Sequence, residues 1–228
     1  MPTNISLIDG YTLLHTTRSG VRPTHGGLYR RDTRFLTGID VTIDNNSFSA
    51  IGDDLLAPNH HLVRLADGFS TVNEISDSGE DKRTSVILER DRRVARDGRF
   101  SEVISITNHS SNPVSKYISL EFDADFADLF EVRGVNAGID RDIETTLESD
   151  CITYAYDYET PSGTPVQYET TISFDPVPDE LARGRVDFQF DLLEQETGTI
   201  RVNVKTSIDT TPSSRLATTS LPDIPVIE

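Results

Sequence analysis

Alternation of apolar and polar side chains, repeated along most of the chain, leaves this sequence little choice but β-structure. Ile118, Leu120, Phe122, Ala124 and Phe126 alternate with Ser119, Glu121, Asp123 and Asp125, the period of a strand with one buried face. The same period returns in Val186, Phe188, Phe190 and Leu192, and again in Ile200, Val202 and Val204. Clusters of Gly, Asn, Asp and Pro interrupt these runs every ten residues or so, as in a sandwich or barrel. The strands number more than about ten, too many for one sheet, so two packed sheets are expected. The fold class is therefore all-β, a large antiparallel two-sheet β-sandwich of the supersandwich kind with at most short helical turns. Helical candidates are confined to residues 127–130 and to 179–182 after Pro178.

Two hairpins stand out. Residues 84–94 and 100–107 flank Asp97-Gly98, a pair suited to a tight primed turn. After a second turn at 108–113 the Tyr117 strand follows, which reads as an antiparallel meander. The second hairpin joins the Val186 and Ile200 runs through Glu196-Thr197-Gly198. An Asn45-Asn46 turn and an Ala66-Asp67-Gly68 turn punctuate the first third. The sandwich is expected to occupy residues 1–209, and residues 210–228 read as a linker or tail.

Charge narrows the function classes. With 38 acids against 21 bases the net charge is −17, and 18 of the 21 bases are arginines, leaving Lys82, Lys116 and Lys205. The acids are spread through strands and turns, so a disordered acidic tail is not the explanation. An acidic surface steers basic partners. It also suits concentrated salt, where screening removes self-repulsion, and scarce lysine with abundant Asp and Thr points to a halophile. No basic stripe exists to neutralise phosphates, which argues against nucleic acid. No run approaches the ~20 apolar residues of a membrane span, and no signal-peptide pattern opens the chain, so a cytoplasmic protein is expected. Cys151 is the sole cysteine, and in a strand-like alternation a free cysteine reads as a small buried hydrophobe.

Two polar constellations are candidate sites. The Tyr117 strand runs into an acidic corner containing Asp123, Asp125 and Asp128, followed by Glu131-Val132-Arg133-Gly134. Ala127, Leu129 and Phe130 break the alternation of oxygens that a calcium loop needs. Paired carboxylates could act as acid and base on a sugar. Alternatively they accept backbone N–H bonds or cap a helical turn, with Arg133 paired to one of them. In the second constellation Arg30, Asp32 and Arg34 would share one face of an extended stretch, as an ion-pair ladder or as a fork for carboxylates or sugar hydroxyls. Arg30 or Arg34 reaching the Asp125–Asp128 corner would lock the two constellations together. The histidines His15, His25, His60, His61 and His109 lack metal-ligand spacing. Tyr154, Tyr156 and Tyr158 share a strand face and read as packing or as a ring platform.

The element Gly27-Leu28-Tyr29-Arg30-Arg31-Asp32-Thr33-Arg34-Phe35-Leu36 is similar to the G-L-x-x-R-D-T-R-F-L element of bacterial and archaeal glycogen-debranching (amylo-α-1,6-glucosidase-like) proteins, and the run from Asp123 to Gly134 resembles a second element of the same N-terminal domain. The resemblance implies a β-sandwich preceding an α/α-toroid catalytic domain on the same polypeptide, which carries the acid and base for cleaving an α-glucan. It implies no catalytic residue, metal or cofactor in this half. Arg30, Asp32, Arg34, Asp123, Asp125, Asp128 and Arg133 become candidates for substrate binding or for the domain interface. The chain stops about where such proteins pass into the toroid. The alternative is a stand-alone binding or scaffold sandwich without hydrolase activity.

Overall fold

The computed structural model describes residues 4–18, 22–67, 86–135, 139–160 and 162–210. Gly68, the first two residues of the expected 84–94 strand and the tail beyond Thr210 lie outside them. Along the chain come β1 (Asn4–Asp9), β2 (Thr12–Thr17), β3 (Gly27–Arg30), β4 (Thr33–Leu36), β5 (Ile39–Ile43), β6 (Asn46–Ser47), β7 (Ser49–Ala57) and β8 (His60–Ala66). Then follow β9 (Val86–Val94), β10 (Arg99–Asn108), β11 (Val114–Phe122) and one helical turn, α1 (Leu129–Val132). The last strands are β12 (Glu144–Leu147), β13 (Cys151–Glu159), β14 (Pro165–Asp175), β15 (Glu180–Ala182), β16 (Arg185–Leu192) and β17 (Thr197–Asp209).

The sandwich expected from the alternation forms, with one layer divided in two. An eight-stranded sheet, ordered β12-β13-β14-β17-β10-β9-β8-β7, makes one layer. The sheets β1-β2-β3-β4 and β15-β16-β11-β5-β6 lie against its inner face. Ile104, Ile106, Ile172, Ile200 and Val202 from the large sheet meet Leu7, Leu28, Phe35, Leu120 and Phe188 from the other two, all buried in one core. Burial of each is worth about 1.5–3 kcal/mol. Aromatic contacts cross the layers: Phe174 stacks on Phe122 at 5.8 Å and meets Phe188 edge-on at 6.2 Å. The Thr170 hydroxyl donates to the Phe35 carbonyl at 2.8 Å, tying the small sheet to the large one.

The first expected hairpin forms, with β9 paired to β10. The meander expected to continue from it and the second hairpin do not, since the other edge of β10 is taken by β17. The chain leaving β10 therefore has no open edge to return to, and β11 crosses to the five-stranded sheet, between β5 and β16. β16 and β17 likewise belong to different sheets. Both crossovers turn on buried Asn108. Its side-chain amide reaches the carbonyls of Asn112, Leu192 and Leu193 at 2.8, 3.1 and 3.1 Å. Its backbone N–H donates to Glu196, and its carbonyl accepts from Gln195, both at 3.0 Å.

Smaller corrections follow the same logic of backbone satisfaction. Residues 180–182 form edge strand β15, paired with β16, which gives them partners that a lone helical turn would lack. In the β9–β10 loop only Gly98 has positive φ (+88°), and its N–H donates to the Ala95 carbonyl at 3.1 Å. This is a longer loop with a left-handed glycine, not a primed pair. A side chain at Gly98 would also lie 2.7 Å from the Arg30 Cδ and would strike the Thr206 hydroxyl. The primed turn falls at Asp44 and Asn45 (φ +48° and +61°), one residue before the expected pair. Cys151 is only half buried, and its thiol donates to Glu148 at 3.6 Å.

The inner face of the large sheet is not wholly apolar. Arg90, Arg92, Glu102 and His61 occupy in-facing positions and are buried. Arg90 and Glu102 form a two-point ion pair, and Arg90 also donates to the Ile39 carbonyl at 3.1 Å. Arg92 donates to His61 Nδ1 at 2.7 Å, and His61 Nε2 faces Asp53 at 3.2 Å. Burial, followed by the charge of Arg90, pushes the Arg92 guanidinium down to about 9. Burial, then the charge of Arg92, also holds His61 below its ordinary value, so the neutral ring accepts at Nδ1 and donates at Nε2. An unfolded histidine titrates near ~6.5. Below that pH the unfolded chain takes up a proton that folded His61 refuses, so stability declines as pH falls. The melting temperature is expected to drop between pH 7.5 and 5.5, with His15, lowered chiefly by burial, adding in the same direction. His61→Gln is expected to flatten that slope; an unchanged slope would contradict the assignment.

Candidate functional site

The first constellation is a hairpin and not an extended ladder. Arg31 takes φ +54°, the chain reverses over Arg31 and Asp32, and Arg30 faces Thr33 while Tyr29 faces Arg34. Arg30, Asp32 and Arg34 therefore do not share a face. Arg30 turns to the large sheet and donates to the Thr206 carbonyl at 2.9 Å. Asp32 is exposed and contributes its carbonyl, which accepts from Leu129 N–H at 2.9 Å. Arg34 points along the hairpin with its stem against Gly27. A side chain at Gly27 (φ +142°) would stand 2.7 Å from the Arg34 Cδ and would strike the Leu36 carbonyl. The Tyr29 hydroxyl donates to the His25 carbonyl at 2.9 Å, fixing the loop before it, and burial raises its pKa.

The acidic corner meets this hairpin. Arg34 holds Asp125 by two hydrogen bonds, one from Nε at 3.1 Å and one from Nη2, and its Nη1 donates to the Gly26 carbonyl at 3.2 Å. Burial alone would lower the Arg34 pKa, but the bonds and charge of Asp125 more than offset it and the value is raised. Backbone bonds run beside the pair: Arg34 N–H to Ala127, Leu129 N–H to Asp32 and Thr37 N–H to Asp123, at 2.8, 2.9 and 2.8 Å. The corner is made by Phe126 at φ +48°. Its ring is buried against Phe35 at 5.7 Å, Tyr168 at 6.1 Å and Tyr156 at 6.2 Å.

Asp128 then starts α1. Its carboxylate accepts from the N–H groups of Phe130 (2.7 Å) and Glu131 (2.9 Å), and Glu131 reaches back to Asp128 N–H at 2.9 Å, a complete capping box. The helix is accordingly 129–132 and not 127–130. Asp123 is exposed, and its carboxylate accepts from Ala124 N–H at 2.9 Å. Arg133 is exposed at the helix C-terminus and makes no ion pair among the described residues. The expected pairing of Arg133 with an acid is replaced by two others, Arg34 with Asp125 and Arg141 with Glu131 at 2.5 Å. Sequence reading missed Arg141 because it follows a stretch without period; the D-x-x-E spacing of Asp128 and Glu131 was the available signal for the cap.

These residues enclose a pocket of about 260 Å³ lined by Arg34, Asp125, Glu131, Val132, Ile139 and Arg141, among others. Both carboxylates in it are engaged by guanidiniums. Arg141 lies 5.6 Å over the Tyr156 ring, and Tyr156 stacks on Tyr158 at 5.7 Å, so those tyrosines pack and form no free platform. Phe130, Val135 and Ile139 beside the pocket are 65%, 53% and 54% exposed. An apolar rim around paired charges suits contact with another surface.

A family model describing the N-terminal domain of some glycogen debranching enzymes matches residues 7–203. The chain belongs to that family. Both constellations fall inside the match. No curated protein sequence matches the chain. Among solved structures, a protein described as a kojibiose phosphorylase from the human microbiome shares the fold at a TM-score of 0.52 and 12% identity over 93% of this chain. The chain spans 26% of that protein. The Slr1438 protein of Synechocystis matches at a TM-score of 0.50 and 10% identity, over 92% of this chain and 97% of its own. At such identities these two likenesses speak for the fold.

The cap in this debranching-family domain can be tested alone. Asp128→Ala is expected to cost about 1 kcal/mol in urea unfolding, and Asp128→Asn only a few tenths. Equal losses in the two variants would show that the oxygen acceptor is not what matters.

Proposed function

We propose that this domain is the non-catalytic N-terminal part of a debranching-type glycoside hydrolase. In this reading it packs on an α/α-toroid catalytic domain of the same polypeptide and forms one wall of its α-glucan cleft. The observation that carries the proposal is the lock between the two family elements: Arg34, Asp125 and the bonds beside them hold α1 and its exposed Phe130 in a fixed place. Asp32, Asp123, Asp128 and Arg133 serve the same corner as scaffold or as contacts to the second domain or the glucan, while Arg30 fastens the hairpin to the large sheet. The acid and base for the α-1,6 bond belong to the toroid, since Asp125 and Glu131 are tied to arginines. A salt-rich cytoplasm is the setting that goes with this reading, supported by the charge of −17 and the scarcity of lysine. One observation favours a second reading, a scaffold that works alone: the fold accounts for 97% of the Slr1438 chain.

Incubated alone with a branched α-glucan, the chain is expected to release no glucose. In the two-domain polypeptide, Phe130→Asp is expected to lower debranching about tenfold, equivalent to ~1.4 kcal/mol of transition-state stabilisation. Turnover by the chain alone would overturn the division of labour, and a full rate in the variant would remove α1 from the interface.

A further inference from the structure

On the outer face of the large sheet, away from the acidic corner, lies a concavity of about 580 Å³. The chain carries 38 acids, yet the described residues lining this concavity include no carboxylate and three cations, Arg93, Arg99 and Lys205. The strand register puts them together. Arg99 on β10 stands directly opposite Lys205 on β17, and Arg93 on β9 is opposite Ser101, two residues along from Arg99. Like charges facing each other across a strand pair destabilise a sheet, and a chain so rich in Asp and Glu had every means to place an acid there. Lys205 has no ion-pair partner among the described residues. Arg93 is held by Asp91 through two hydrogen bonds at 3.1 Å, whereas Arg99 pairs with Asp97 at 2.8 Å with both side chains exposed and is held only weakly.

The other polar groups are neutral. Ser101 faces Asn203, Asn203 faces Ser173, and Thr171 faces Lys205, forming a continuous hydroxyl and amide surface across three strands. Such groups donate to and accept from sugar hydroxyls, while the cations supply the charge-assisted bonds that a phosphate takes. We propose that this concavity binds a phosphate monoester carried on a sugar. The phosphate part stands on the cations alone; the choice of a sugar rests partly on the debranching reading.

The test is calorimetric titration of the chain with glucose 1-phosphate, inorganic phosphate and glucose, beside Arg99→Gln and Lys205→Gln variants. Saturable binding of glucose 1-phosphate is expected, weakened at least about fivefold in either variant, with inorganic phosphate weaker and glucose undetected. The melting temperature of both variants is expected to hold or rise as the like-charge contact is relieved, which a merely structural role would not produce. Absence of glucose 1-phosphate binding, or binding indifferent to both substitutions, would overturn the site. Inorganic phosphate binding as tightly as the ester would overturn the sugar part alone and leave the domain's role in debranching untouched.

Discussion

Arg34, with 14% of its side chain exposed, and the carboxylate of Asp125 join segments that lie 91 residues apart in sequence. The backbone of the hairpin and of the acidic corner is arranged around that contact. The hairpin reverses through Arg31 at positive φ, Gly27 gives up its side chain to the Arg34 stem, and Phe126 turns the acidic corner in the left-handed region. A bulky residue in that region costs about 1–2 kcal/mol. The Phe126 ring, buried among Phe35, Tyr156 and Tyr168, offsets the cost. The two elements that mark the family are thus two halves of one structural joint, and the joint sets the direction of α1.

The fold was legible wherever a side chain's facing followed from the alternation. Strands such as Val114–Phe122 and Thr197–Asp209 sit where the period of two places them. Their partners were not legible, because pairing depends on which sheet edges are open. Nothing local in residues 108–113 says that β10 already has neighbours on both sides, so a crossover reads as a hairpin. Asn108 decides the matter through contacts to residues 192–196. In the candidate site, the meeting of Arg34 with the acidic corner could be reasoned from complementary charge. The face-sharing of Arg30, Asp32 and Arg34 could not survive a turn at Arg31, a position where a non-glycine residue rarely takes positive φ. Arg141 and its bond to Glu131 had no sequence signal, since residues 139–143 carry neither period nor motif.

Acids coat strands and turns, yet two arginines and two glutamates are buried, and Arg90, Arg92 and Glu102 lie between the sheets. Arg90 and Arg92 fill positions of β9 that the period assigns to apolar side chains, between Leu88 and Val94. Arg90 is balanced by Glu102, but Arg92 leans on neutral His61 and, through it, on Asp53. Its Nε has no hydrogen-bond partner among the described residues. Buried charge of this kind costs stability unless every partner is present, so this layer is the part of the core most sensitive to its neighbours. The outer face of the same sheet gathers Arg93, Arg99 and Lys205, so cations mark both sides of β9 and β10 in an otherwise acidic protein.

Arg34 and Asp125 act as a pair that joins hairpin to corner. A double-mutant cycle by urea unfolding, with Arg34→Met, Asp125→Asn and both together, measures that coupling directly. A coupling of about 1–2 kcal/mol is predicted for a partly buried two-point contact. Additive losses, agreeing within about 0.5 kcal/mol, would mean that the two segments merely lie side by side.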